Sequence, residues 1–196
     1  MIEPVHNELF EFISKYMTLS HEEKTAIIEL DIFRNFKKNT ILLKEGQMSS
    51  VEYFVLNGCI RRYYIIDGEE KTTAFYTEME SLTPHSYLQQ KPSEYYVSCV
   101  EDTLMIVSNA EMEKLMFEKF PRFESLCRII SEQLIAKNQA SFDEFKTSSP
   151  EQRYLQLVET RPDLIQRVPQ HQLASFLGIT PQSLSRMRSR LTTQKI

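Results

Sequence analysis

The stretch from Val168 to Leu191 limits the fold of this chain more than any other. Leu173, Phe176, Leu177, Ile179, Leu184, Met187 and Leu191 are spaced to close one small core if two short helices cross at a tight turn at Gly178. Ala174 is small enough to let the second helix pass close to the first. Thr180 supplies an N-cap oxygen, and Pro181 suits the first helical position, where a missing backbone N–H costs nothing. The pattern reads as a helix-turn-helix. Stepping about 100° per residue from Leu184 sets Met187 and Leu191 beside it, facing inward, and turns Gln182, Ser185, Arg186 and Ser189 outward. That outward face suits the major groove, because arginine forks onto guanine, glutamine onto adenine, and hydroxyls onto phosphates or bases. The competing reading of the same spacing is an ordinary helical hairpin with solvated arginines.

The charge distribution favours the DNA reading. Beyond residue 164 the chain carries Arg167, Arg186, Arg188, Arg190 and Lys195 and no carboxylate. The whole chain has 23 basic and 27 acidic residues, so all of its acid lies in the preceding segment. An acidic body with one basic end is expected of a DNA-reading module attached to a separate regulatory domain.

Upstream, the texture is different. Val5 to Met17 and His21 to Phe33 read as amphipathic helices, the second opening on Ser20-His21-Glu22-Glu23. From Asn35 short β-rich runs follow: Thr40 to Leu43, Glu52 to Leu56, Cys59 to Ile66, Glu70 to Tyr76, Tyr95 to Val100 and Thr103 to Val107. Asn57-Gly58 and Asp67-Gly68 read as hairpin turns, since these residues tolerate positive φ. Strands at this spacing predict an antiparallel barrel or jelly roll. Helical periodicity returns at Asn109, and Pro121 opens a long helix to about Phe145. Its apolar stripe is too broad to cover one domain alone. One side is expected to cover the barrel and the other to meet a second copy, with Phe123, Leu126, Ile130 and Leu134 as the pairing residues. Thr147-Ser148-Ser149-Pro150 is the expected domain boundary, and Ser149 to Gln152 a capping box starting a helix that Arg161-Pro162-Asp163 ends.

Composition excludes several classes. No apolar run reaches the roughly 20 residues needed to span a bilayer, and the opening residues lack the basic start and apolar core of a signal peptide. A cytoplasmic protein without a membrane partner is expected. Cys59, Cys99 and Cys127 are scattered and flanked by apolar residues, which predicts buried thiols; with the histidines equally dispersed, no metal site is expected. There is no Gly-x-Ser-x-Gly, no phosphate loop and no His-Glu-x-x-His, so the chain is not read as an enzyme. The paired carboxylates Glu78/Glu80 and Glu111/Glu113 are read as solvated.

A β-rich barrel, a long helix and a carboxy-terminal helix-turn-helix, in this order, resemble the Crp/Fnr family of bacterial transcription regulators. Glu45-Gly46 followed by Tyr53-Phe54-Val55-Leu56-Asn57-Gly58 looks like the glycine-framed turn and strand of a cyclic-nucleotide-binding domain, and Val97 to Thr103 like its closing strand pair. Arg153-Tyr154-Leu155 through Leu191 resembles the family's DNA-binding end. The resemblance implies an α+β chain in three parts: residues 1–120, amino-terminal helices and an antiparallel β jelly-roll sensor domain; residues 121–147, a long dimerisation helix; and residues 148–196, a helix-turn-helix domain. It implies double-stranded DNA, a second copy of the chain and RNA polymerase as partners. The DNA-contacting set it implies is Gln170, Thr180, Gln182, Ser183, Ser185, Arg186, Ser189 and Arg190, with Arg186 reading a base and Gln170 and Thr180 close to the phosphate backbone. Pro181 stands where some members carry a further base-contacting arginine.

In the ligand cassette the pattern departs from the family. Members that bind cyclic nucleotide use a Gly-Glu pair for ribose and an Arg followed by Ser or Thr for the cyclic phosphate. Those positions fall here on Leu82-Thr83 and Ser93. Without the arginine, a charge-assisted hold on the anion is lost, commonly about 1.5 to 3 kcal/mol per hydrogen bond. No cyclic-AMP cofactor is expected. Leu82, Thr83, Ser86, Tyr87, Ser93 and Tyr95 either line a pocket for a different small molecule or pack a vestigial cassette. The remaining alternative for the whole chain is a ligand-binding or protein-interaction module whose helix-turn-helix does not read DNA.

Overall fold

A computed structural model describes residues 4–193; Lys195, one of the five carboxy-terminal cations, lies outside them. The chain runs α1 (Pro4–Ser14), α2 (His21–Glu29), β1 (Phe33–Phe36), β2 (Ile41–Leu43), β3 (Glu52–Asn57), β4 (Ile60–Ile66), β5 (Glu69–Tyr76), β6 (Ser81–Leu82), α3 (His85–Gln89), β7 (Tyr96–Cys99) and β8 (Thr103–Ser108). It continues through α4 (Ala110–Lys119), α5 (Arg122–Thr147), α6 (Pro150–Thr160), α7 (Pro162–Arg167), α8 (Gln170–Leu177) and α9 (Pro181–Thr193). Two compact units divide the described chain. One reaches to Arg61 and resumes from Phe75 to Gln133; the other consists of Arg62–Ala74 with the chain from Leu134 onward.

The strands form two four-stranded sheets, ordered β1-β8-β3-β6 and β2-β7-β4-β5. Alternation along β3 and β8 sends Tyr53, Val55 and Met105 to one face, where they are buried, and Phe54, Leu104 and Ile106 to the other. The second face is covered by a cluster in which Leu56 meets Leu9, Phe10 and Ile13 of α1, Ile27 of α2, and Phe123 and Leu126 of α5. Each such side chain, fully buried, contributes about 1.5 to 3 kcal/mol. Tyr53 Oη donates to the Leu42 carbonyl at 3.3 Å, a polar tie from β3 to β2.

Local chemistry sets the helix starts. Ser20 Oγ accepts the Glu23 amide while the Glu23 carboxylate accepts the Ser20 amide at 2.7 Å, the capping box read from the sequence. Ser149 and Gln152 repeat it at α6, with Pro150 in the first turn. The second helix ends at Glu29 rather than Phe33, because Phe33 pairs with Ile106 of β8 and the Ile32 carbonyl accepts the Val107 amide at 2.8 Å. Arg161-Pro162-Asp163 ends α6 and also begins α7, with Pro162 at its start.

The two Gly turns differ. Asp67 and Gly68, at φ 54° and 78°, join the neighbouring strands β4 and β5 as a two-residue hairpin should. Asn57-Gly58 is not a hairpin turn, since it leads from β3 in one sheet to β4 in the other. Gly58 is required there by close approach: a Cβ would meet Thr103 Cα at 2.7 Å and the Asp102 carbonyl at 2.8 Å, and its φ is +111°. Its amide donates to Glu78 Oε1 at 2.9 Å, so Glu78 is part of the corner. Cys59 and Cys99 are buried thiols, whereas Cys127 is exposed, contrary to the expectation from its apolar neighbours. Among the described residues no helix is long and apolar enough to cross a membrane.

Candidate nucleic-acid interface and ligand cassette

In the second unit, α8 ends on Gly178 in the left-handed region, and the Ile179 amide reaches back to the Ala174 carbonyl at 3.0 Å. Thr180 Oγ1 accepts the Ser183 amide at 3.2 Å and so caps α9. Leu173, Ala174, Leu177, Leu184 and Met187 are buried, as are Tyr154 and Leu157 of α6, Leu164 of α7 and Val168 just after it. The Arg153 guanidinium stacks on the Phe145 ring at 4.0 Å, which seats α6 on the end of α5.

With the inner face of α9 buried, its other face is exposed to solvent. Gln182, Ser185, Arg186 and Ser189 are exposed on it, and Gln170 and Thr180 are exposed at the starts of the two helices. Ser183 is half-buried, its hydroxyl bonded to Thr180 and approached by Arg186 Nη2 at 3.4 Å. Arg190 is held by the carboxylate of Glu151 on α6. Sequence reasoning missed two residues here. Glu151 pairs with Arg190 across 39 positions, and no local pattern announces it. Ser175 Oγ accepts the Thr72 amide at 2.9 Å and donates to the Glu70 carbonyl at 2.9 Å, tying the β4–β5 hairpin to α8.

The cassette residues lie together around α3 in the first unit, and their polar groups are engaged within the protein. Ser86 Oγ accepts the Ser49 amide at 3.2 Å. Ser93 Oγ donates to the Tyr95 carbonyl at 2.9 Å, and Tyr95 Oη accepts the His85 amide at 2.9 Å. Thr83 Oγ1 donates to Glu52 Oε2 at 2.6 Å. Leu82, Ser86, Ser93 and Tyr95 are buried, while Thr83 and Tyr87 are half-buried. Burial, with the Glu52 and Glu113 carboxylates nearby, pushes the Tyr87 phenol above its usual range. Lys91, within this segment, is exposed. Among the described residues no group of three or more His, Cys, Asp or Glu side chains is placed to hold a metal ion.

The expected pairing residues of α5 separate into two groups. Phe123 and Leu126 belong to the core of the first unit, at 5% and 6% exposure, and are not presented to a second copy; Ile130 packs against the same cluster. Leu134 is half-buried. The apolar side chains α5 does present are Ile135, Phe142 and Phe145, at 66%, 60% and 46% exposure.

Residues 33–119 match the family model of the cyclic nucleotide-binding domain. No curated protein shows a significant sequence match. Among solved structures, a CooA mutant from Carboxydothermus hydrogenoformans is 16% identical with a TM-score of 0.66, covering 95% of this chain and 85% of that one. The c-di-GMP-responsive global regulator CLP of Xanthomonas campestris is 13% identical with a TM-score of 0.65, covering 90% and 93%. The catabolite activator protein of Thermus thermophilus is 17% identical with a TM-score of 0.53, covering 92% and 87%. At these identities the likeness is one of fold. Residues 33–119 are thus similar to the cyclic nucleotide-binding domain, in a chain whose fold is similar to that of an activator protein and a global regulator.

Proposed function

We propose that the protein is a homodimeric, sequence-specific transcription regulator of the Crp/Fnr type, in which α9 enters the major groove and the sensor domain does not take cyclic AMP. The observation that carries the reading is the division of α9. Leu184 and Met187 are buried, while Gln182, Ser185, Arg186 and Ser189 stand exposed on a segment without a single carboxylate after Asp163. A helix so divided offers a groove hydrogen-bonding groups and positive charge on one side only. Two copies would set two such helices about 34 Å apart, one turn of duplex. RNA polymerase is the partner such a regulator acts on.

The cassette supports the second half of the reading. Where a phosphate-binding arginine is needed stands Ser93, whose hydroxyl is spent on the Tyr95 backbone. Where a ribose-binding Gly-Glu pair is needed stand Leu82, buried, and Thr83, bonded to Glu52.

Fluorescence anisotropy on duplex from upstream of the protein's own gene, against a scrambled duplex and across a salt series, tests the DNA half. Preference for the upstream duplex, with affinity falling steeply as salt rises, is the expected result. Arg186→Ala should cost about 1 to 3 kcal/mol on the specific site and relax one base position. Equal, salt-insensitive binding to both duplexes would sink the reading in favour of a protein-interaction module. Cyclic AMP should leave the melting temperature of the protein unchanged.

A further inference from the structure

The first unit contains an apolar cleft of about 190 Å³ that the proposed function does not use. It opens between α1, α2, β8, α4 and the first turns of α5, on the helical side of the sheet, and none of the cassette residues lines it. Ile13 and Ile27 form its floor, and Met112, Met116 and Phe117 of α4 form a partly exposed wall. Met116 and Phe117 pack against the core cluster beneath α4, yet no residue of this helix is fully buried, so its cleft-facing side chains stay partly exposed. Protein interiors rarely leave voids much larger than a water molecule, and an apolar cavity of about 150 Å³ lined by Leu, Ile and Phe stays dry and accepts benzene.

The lining selects the chemistry of an occupant. Among the described residues no lysine, arginine or histidine lines the cleft, and its ionisable carboxyl is Glu113. A hydrogen bond to Glu52, with partial burial and the neighbouring charge, raises that carboxyl to about 8, so Glu113 keeps its proton at neutral pH. An anion is repelled by such a rim, while a neutral hydrogen-bonding group is accepted. The thioethers of Met112 and Met116, with the rings of Phe117 and Phe123, favour an aromatic body, since sulfur and ring edges both pack well against a ring face.

We propose that this cleft is a binding site for an uncharged aromatic small molecule of one ring or two fused rings, its single polar group at Glu113. Binding there is independent of whether α9 reads DNA. The occupant would touch Phe123, Leu126 and Cys127, and so the start of α5.

Full-length protein labelled at the methionine methyls tests this directly, with indole as the neutral probe and benzoate as its charged counterpart at neutral pH. Indole should shift the Met112 and Met116 methyls saturably and leave Met48 and Met187 in place, and benzoate should shift none. Met112→Trp, which fills the cleft from its exposed wall, should weaken indole binding at least about tenfold at unchanged far-UV circular dichroism. Should that variant fail to fold, the indole and benzoate contrast on the parent protein still decides. Unmoved Met112 and Met116, uniform shifts at all methyls, or equal response to benzoate would overturn the site. Absence of indole binding in a dimer that Met112→Trp dissociates would overturn it too, and assign the cleft to the second copy.

Discussion

A methyl group at Gly58 would fall on backbone, Thr103 Cα and the Asp102 carbonyl, where neither can yield without moving the strand corner. With φ at +111° the position is also strained for any L side chain. Gly58→Ala should therefore destabilise the fold by on the order of 3 kcal/mol, read by chemical denaturation. Ala at Gly68, which faces open space in a hairpin turn, should cost clearly less. Glu113 gives a second prediction at this scale. Its folded carboxyl holds its proton up to about pH 8, above the ordinary value of 4.5, because Glu52 faces it. Between those values the native state binds more protons than the unfolded one, so its contribution to stability is complete below pH 4.5 and lost as pH rises toward 8. Glu113→Gln keeps a donor for Glu52 and cannot ionise. Melting curves across that window should slope downward with pH for the parent and more gently for the variant; parallel curves would refute the pairing.

Elements built from local signals were legible before the structure, and elements built by distant partners were not. The caps at Ser20, Ser149 and Thr180 and the proline starts at Pro150 and Pro181 act within one turn, so the sequence displays them and the helices begin where they say. By contrast, β1 exists because Phe33 to Phe36 pair with β8 about seventy residues later, and β6 because Leu82 meets Tyr53. Asn57-Gly58 and Asp67-Gly68 are alike as dipeptides; only the approach of Thr103 makes the first a corner between sheets. The same holds on α5, where Phe123 and Ile135 are equally apolar and only distant partners, the amino-terminal helices and β3 among them, decide that the first is covered. In the candidate interface the outward face of α9 was readable from periodicity, whereas the hairpin contact of Ser175 depends on a fold that brings residues 70 and 175 together. Ser175→Ala removes the two hydrogen bonds that its hydroxyl makes to that hairpin, and should cost about 1 to 3 kcal/mol. Faster hydrogen exchange at the Thr72 amide is the expected signature; unchanged protection there would show that the contact holds nothing in place.

For the molecule as a whole, the exposed apolar side chains of α5 bear on assembly. Ile135 and Phe142 are seven residues apart and therefore on one face of the helix, each more than half exposed. In the proposed dimer they meet their counterparts, so Ile135→Glu with Phe142→Glu should shift sedimentation toward the monomer. The same double change should reduce affinity for a two-half-site duplex much more than for non-specific DNA, whereas a parent protein that sediments as a monomer would dispose of this pairing face. The ion pair between Glu151 and Arg190 acts on another timescale. A regulator finds its target by dwelling briefly on a very large number of wrong sites, and each dwell lengthens with every cation available to phosphate. In the proposed regulator, the Glu151 carboxylate held against Arg190 would shorten those stops, and Glu151→Gln should bind all DNA somewhat more tightly while locating its operator more slowly.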